Sequence, residues 1–220
     1  MRLVRLQAVV PRARGRQVAG QGRDHRGSRA APPRGRAARV GMSSFVERVD
    51  RLDERLDALF EPLRNSRPAV YVFNTSSAVG DFGAVWHVIG VVGALNGTLS
   101  WAQALVLAAL MGAESLLLNQ GVKRLFRRER PTPAGDDRFT VRRPLTSSFP
   151  SGHASSAFFA SVILSGWVSP GGMVAFFGIA VIIALSRVVV RIHHVSDIVV
   201  GSVFGALLGT IALQFTATIT

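Results

Sequence analysis

Three short polar clusters interrupt a largely apolar chain, and their residue types are those that phosphate chemistry needs. The first, KRLFRRERP, holds Lys123, six further residues, and then Arg130 followed by Pro131. The second, PSGH, runs from Pro150 to His153, and the third, SRVVVRIHHVSD, holds Arg187, His193, His194 and Asp197. Cleaving a phosphate ester requires cations on the non-bridging oxygens, a nucleophile in line with the leaving group, and an acid for the departing alkoxide. Lys123, Arg130 and Arg187 can supply the positive charge, and guanidinium forks match phosphate oxygens well. Lys123 is the single lysine in a chain with 26 basic residues, which points to a use for a compact ammonium there. Pro150 and Gly152 allow a tight turn, and the Ser151 hydroxyl with the backbone N–H groups of the following helix can cradle an anion.

The same residues admit other uses. His153, His193, His194 and Asp197 could form a metal site, but three neighbouring cations disfavour a bound dication. A channel or non-enzymatic membrane carrier is a second alternative, since charges within membrane helices often mark ion paths. Here, however, the apolar stretches are nearly free of charge and the charge gathers at their ends. Arg124, Arg127, Arg128, Arg142 and Arg143 read as charge flanking a membrane boundary. Glu114 precedes Lys123 by nine residues, ~13 Å along a continuous helix, too deep for the phosphate, and reads as an interior group paired with a buried cation, a polar headgroup contact being the other reading. His87 reads as a packing residue, and His25 belongs to the N-terminal arm.

The elements that must position these clusters are helices. Hydrophobic residues make up 48% of the 220 residues and the mean hydropathy is +0.31, values suited to a compact single-domain membrane protein. No Lys, Arg, Asp or Glu occurs from Phe82 to Ala113, room for two spans near 82–96 and 101–121 broken by NGTLS. Further spans are expected near 153–168, 172–190 and 195–216. The fold class is therefore all-α, a polytopic membrane helical bundle of about five transmembrane helices plus an N-terminal amphipathic helix. Threading five spans alternately puts all three polar clusters on one face of the bundle.

The amphipathic helix is expected over 42–66, where Phe45, Val49, Leu52, Leu56, Leu59 and Leu63 recur in steps of four and three. Ser44 and Glu47 resemble a capping-box start, and Pro62, Asn65 and Pro68 mark the end. Such a helix lies on the membrane surface or against the bundle, with a linker from Asn74 to Gly80. The division is thus an arm over 1–41, the amphipathic helix over 42–66 and a membrane domain over 67–220. Most of the net charge of +13 sits in the arm, whose Arg-rich composition lacks aromatics and helical period. It is expected to be disordered, with no catalytic role and no specific nucleic-acid target. Translation from Met42 and a lipid-binding arm are the other readings. Without cysteine, the chain forms neither disulfides nor thiolate metal sites.

In all three clusters, and in their order and spacing, the chain resembles the type 2 phosphatidic acid phosphatase superfamily over roughly residues 81–215. The resemblance implies a membrane phosphatase acting on a lipid phosphate monoester or diphosphate without metal or other cofactor. It implies that His193 attacks phosphorus to give a phosphohistidine, that Asp197 holds the ring and stabilises its cation, and that His153 protonates the leaving oxygen and then activates water. The family spacing selects His193 over His194. Lys123, Arg130, Ser151, Gly152 and Arg187 are the implied phosphate ligands. Family members commonly carry six core helices, one more than the spans counted here. The related vanadium haloperoxidases share the anion pocket but are larger and soluble.

The partners expected are a lipid phosphate and the membrane itself, and a homo-oligomer is compatible with the sequence. Arg124, Arg127, Arg128, Arg138, Arg142, Arg143 and Arg191 all fall on the cluster face, whereas the links on the other face carry no basic residue. Basic loops favour the cytoplasm, so the site is expected to face inward from the cell membrane. That orientation favours a polyprenyl-linked sugar phosphate or a glycerolipid phosphate over polyprenyl diphosphate released outside.

Overall fold

Inside a bilayer every backbone polar group must find its partner within the protein, so long uncharged runs such as 82–95 and 101–113 fold as helices. The computed structural model describes residues 34–132, 136–140 and 146–216, and these contain helices and no strand. The helices are α1 (Arg34–Leu59), α2 (Glu61–Arg64), α3 (Arg67–Val79), α4 (Ala84–Leu95), α5 (Trp101–Leu116), α6 (Lys123–Leu125), α7 (Gly152–Ser165), α8 (Pro170–Val189) and α9 (Val195–Thr216). A 3-10 turn at Asp81–Gly83 joins α3 to α4, and a π-helical turn at Leu117–Val122 joins α5 to α6. Met42–Thr220 form one compact unit, which holds every residue discussed below.

The all-helical membrane bundle expected from the sequence is the one observed, with a different count. Trp101–Leu125, Pro170–Val189 and Val195–Thr216 are long and apolar enough to cross a membrane, and α3 with the turn and α4, bent by 61°, would make a fourth span. The stretch expected as a full span over 153–168 is α7, with 14 residues. At 1.5 Å per residue that is about 21 Å, short of a ~30 Å hydrocarbon core. Running from the clusters at one end toward the start of the 20-residue α8 at the other, it forms a central post, with Ala154, Ala157, Phe159, Ala160, Ile163 and Leu164 buried.

What lets α7 sit at the centre is the glycine row of α9. A Cβ on Gly201 or Gly205 would collide with the backbone of Ser151 or Ser155, and one on Gly209 would reach 3.0 Å from the Phe159 carbonyl oxygen. Small residues at four-residue spacing let two helix backbones touch, the packing mode that replaces the hydrophobic effect in lipid. Trp86, Leu107, Met111, Phe159, Ile163 and Ile183 fill the core around this pair. Outward-facing Leu105, Val174, Ile182, Val203, Leu207 and Ile211 meet the lipid.

The amino-terminal elements depart most from expectation. Helix α1 begins at Arg34, so Ser44 and Glu47 lie inside the helix and not at its start. The chain breaks after Leu59, Pro62 falls in the first turn of α2, and the expected linker from Asn74 is helical to Val79. The orientation of α1 is set by charge. Asp53 is buried and Asp57 half-buried, whereas Phe45, Leu52 and Leu59 are exposed. Asp50, Asp53, Asp57 and Glu61 pair with Arg128, Arg191, Arg64 and Arg138, so the apolar stripe points away from the bundle, as a membrane-surface helix requires. Residues 1–33, and Arg142 and Arg143, lie outside the described residues.

Replacing Gly205 by Ala should lower the melting temperature in detergent, as expected for overpacking that costs about 1–3 kcal/mol. Gly178→Ala, where no atom lies within 4 Å of the added carbon, should leave it unchanged or raise it. A thermal-shift assay on the two purified variants distinguishes these outcomes.

Candidate active site

The link between α8 and α9, residues 190–194, carries His193, and its backbone is pinned at successive carbonyls. Arg64 donates from Nη2 to the Val188 oxygen and from Nε to the Val189 oxygen, each at 3.0 Å. Thr132 Oγ1 donates to the Arg191 oxygen at 2.7 Å, and Arg130 Nη1 to the Ile192 oxygen at 2.6 Å. Arg191 adopts a left-handed φ of 56°, a turn that lets Ile192 and His193 N–H both return to the Arg187 oxygen, at 3.2 and 3.1 Å. His193 therefore precedes α9 and does not share a helical face with Asp197; the tight link brings them together.

His193 is 2% exposed and Asp197 fully buried. His193 Nδ1 lies 3.5 Å from Asp197 Oδ2, which also accepts the His194 N–H at 2.9 Å. Catalytic contacts of this length commonly tighten when a site closes on its substrate. Burial pushes the His193 ring down to about 3 against the pull of Asp197, and the Arg187 and Arg130 guanidiniums push the same way as burial. The ring is thus neutral at physiological pH. With Nδ1 toward the carboxylate, Nε2 keeps its lone pair, and Arg130 Nη1 stands 3.4 Å from it. His194 is half-buried and lines a separate, smaller hollow with Asp53, Asp57 and Arg191.

Arg130 and Arg187 act on this ring, and Lys123 lies within electrostatic reach of both. Arg187 is 1% exposed; its Nη1 donates to Ser77 Oγ, while Nε and Nη2 have no hydrogen-bond partner among the described residues. Buried guanidinium N–H groups are almost always satisfied, so two idle donors on a buried cation have the form of an anion receptor. Lys123 is buried too, and a Cβ on Gly152 would lie 3.4 Å from its Nζ, so the missing side chain lets the ammonium approach the PSGH backbone. Arg130 Nη2 donates to the Thr146 oxygen at 3.1 Å. Ser151 caps α7, its hydroxyl accepting the Ala154 N–H at 3.5 Å, and its own N–H donates to the Asp197 oxygen at 3.0 Å.

A cavity of about 1330 Å³ opens beside these groups, lined by Asp81, Phe82, His87, Met111, Glu114, Asn119, Lys123, Arg130, Gly152 and His153 among others. His193 and Arg187 do not line it. Arg130, which both lines the cavity and touches His193, stands between the two. Glu114, nine residues before Lys123, is buried and accepts from the Ser155 hydroxyl. No cluster of three or more His, Asp or Glu suited to a metal ion occurs among the described residues.

Several members of the site escaped sequence reasoning. Asp81 Oδ1 lies 2.8 Å from His153 Nε2, held there by a turn in which Phe82 and Gly83 have φ of 55° and 66°. Gly80 makes room: a Cβ there would stand 3.1 Å from the His153 ring. Asp81 is the only acid between Glu61 and Glu114, and that isolation at the edge of an uncharged run was a usable signal. Ser77, beneath Arg187, had none. Arg128, read as flanking charge, instead donates to Asp197 Oδ1 at 2.7 Å.

Residues 101–220 match the PAP2 superfamily. The chain is 35% identical over 128 residues to a decaprenylphosphoryl-5-phosphoribose phosphatase of Mycolicibacterium smegmatis, covering 57% of this chain and 67% of that protein. The namesake of Mycobacterium tuberculosis is 31% identical over 134 residues, covering 57% and 68%. Among solved structures, the fold is similar to that of a transmembrane PAP2-type phosphatidylglycerolphosphate phosphatase from Bacillus subtilis, with a TM-score of 0.61, 23% identity and coverage of 78% of this chain and 88% of that one. Aquifex aeolicus LpxE gives a TM-score of 0.56 at 25% identity, over 71% of this chain and 93% of its own. Three polar clusters converging at one end of an apolar helical bundle, with a family match across more than half of the sequence, establish that this chain belongs to the PAP2 superfamily, as a membrane phosphatase.

Proposed function

We propose that this protein hydrolyses a lipid phosphate, monoester or diphosphate, through a phosphohistidine at His193 and without a metal ion. The observation that carries this reading is Arg187: a buried guanidinium with two idle donors, beside a neutral histidine, at the point where all three clusters meet. Arg187, Lys123 and Arg130 hold the non-bridging oxygens, with the Gly152 N–H end of α7 behind them. The Nε2 lone pair of His193 forms the bond to phosphorus as the bond to the ester oxygen breaks, and Asp197 stabilises the resulting imidazolium through Nδ1–H. His153 in its imidazolium form, which Asp81 at Nε2 favours against burial, gives its Nδ1 proton to the departing alkoxide. It then takes a proton from water, whose oxygen displaces His193 from phosphorus and releases inorganic phosphate.

A polyprenyl-linked sugar phosphate or a glycerolipid phosphate fits best. The cavity is far larger than a phosphate, and its wall offers Glu114, Ser115, Asn119 and Gln120 to hydroxyl groups. Phe82, 81% exposed, stands at its edge, where an apolar tail can arrive from the bilayer. The curated relatives are phosphatases of a decaprenyl-linked phosphoribose, which agrees with that wall. Purified protein in detergent with chelator should release phosphate from such a substrate in preference to polyprenyl diphosphate. Absence of release from every lipid phosphate in a panel of phosphatidic acid, phosphatidylglycerol phosphate, polyprenyl diphosphate and a polyprenyl-linked sugar phosphate would overturn the reading.

His193→Ala should reduce turnover by roughly 10⁴-fold or more and abolish trapping of a phosphoenzyme, while His194→Ala keeps most activity; the reverse ranking would exchange their roles. His153→Ala should spare an activated aryl phosphate more than an alkyl phosphate, because a good leaving group needs less protonation. Equal losses on both would make His153 a binding group only.

The basic residues near the site favour the cytoplasmic side of the cell membrane. Thr146 is exposed, so a Thr146→Cys variant should resist an impermeant thiol reagent in intact cells and react after lysis. Labelling without lysis would put the site outside and return polyprenyl diphosphate to the front.

A further inference from the structure

Arg128 stands two residues before Arg130 and faces a different task. Its Nη1 donates to Asp197 Oδ1 and to Ser196 Oγ, each at 2.7 Å, and its Nη2 donates to Asp53 Oδ2 at 2.7 Å and Asp50 Oδ1 at 2.8 Å. A guanidinium has five N–H donors, and these contacts occupy the four at its fork. Asp53, 2% exposed although it belongs to an amphipathic helix, also accepts the Ser196 N–H at 2.9 Å and the Ser196 hydroxyl at 2.5 Å. It thereby holds the start of α9 one residue before Asp197.

The groups alternate in charge from α1 to the reacting ring: Asp53, Arg128, Asp197, His193. A carboxylate held at one oxygen can pivot about its Cβ–Cγ bond. Asp197 is held at both, Oδ1 by Arg128 and Oδ2 by the His194 N–H, which leaves the Oδ2 side turned to His193 Nδ1. Arg128 in turn is shared with Asp53 and Asp50, so it neither swings toward the phosphate cations nor draws the whole Asp197 carboxylate onto itself. Neutralisation through a shared, hydrogen-bonded network is also what makes so many buried charges tolerable.

We infer that Arg128 and Asp53 are positioning residues for the Asp197–His193 pair, through which the amphipathic helix α1 becomes part of the catalytic unit. The inference rests on the reaction proposed above. It accounts for the inverted seating of α1, whose acidic stripe grips the site while its apolar stripe faces the membrane surface. Neither residue touches substrate in this scheme, so their loss acts on turnover and leaves phosphate binding alone.

The test uses full-length protein in detergent, steady-state hydrolysis of a lipid phosphate and inhibition by orthovanadate, a phosphate analogue that reports the anion pocket. Arg128→Met should lower kcat on the order of 100-fold, with KM and the inhibiting orthovanadate concentration unchanged within about twofold. Arg128→Lys should recover part of the loss, and Asp53→Asn should lower kcat about tenfold. The double variant should be slowed by less than the product of the two single losses, because Asp53 acts in part through Arg128. Arg48→Ala, on the exposed side of α1, should match the wild type. A rise in KM or in the orthovanadate concentration would make Arg128 a phosphate ligand and overturn the inference, as would unchanged kcat or losses that multiply in the double variant. If Arg128→Met does not yield folded protein, the same kcat-against-KM split in Arg128→Lys and Asp53→Asn decides. An inactive wild type would sink the proposed reaction and this inference together, whereas an active wild type with unaffected variants would sink the inference alone.

Discussion

Asp197 is the junction on which the site is built. It is fully buried, and each of its polar atoms belongs to a different part of the chain: the carbonyl oxygen accepts from Ser151 of the PSGH turn, Oδ1 from Arg128 of the first cluster, and Oδ2 faces His193 and accepts from His194. A carboxylate in that setting is tolerable only when every lone pair is used. The requirement works in both directions. Satisfying Asp197 obliges the starts of α7 and α9 and the segment after α6 to converge, and that convergence gathers Lys123, Arg130, Arg187 and the two histidines.

The approach of α7 to α9 is the second condition. Ser151 N–H can reach the Asp197 carbonyl only because the α9 backbone comes within contact of α7 at Gly201 and Gly205. Larger side chains there would separate the helices and break the bond that joins the second cluster to the third. The packing motif that stabilises the bundle in lipid is thus the same feature that joins the second cluster to the third. Rigidity continues on the far side of the ring, where Arg64 fastens the end of α8 and Thr132 and Arg130 fasten the link that follows.

Charge also explains why α1 lies as it does. Periodicity locates its apolar stripe but does not say which way the stripe points. The bundle beside α1 presents Arg128 and Arg191, so the acidic stripe turns to them and the leucines turn away. In a water-soluble bundle that seating would expose apolar surface at a cost; beside a bilayer the exposed stripe has a solvent that accepts it.

The helical bundle, the five apolar stretches, and the residue types and order of the three clusters are all legible along the chain, because each is written locally in hydropathy or in spacing. The sequence did not determine helix lengths: α7 is shorter than its apolar run, and the segment around Asn74 is helical although its residues suggested a linker. Nor could it supply the pairs that complete the site. Asp81 meets His153 across 72 positions, Arg128 meets Asp197 across 69, and Arg64 meets Val189 across 125. A hydrogen bond between distant residues depends on which helix faces touch and how closely, and that is decided by packing of whole elements. Local periodicity carries no record of it, so only the tertiary structure could join an isolated aspartate to a catalytic-type histidine or turn a flanking arginine into the partner of a buried carboxylate.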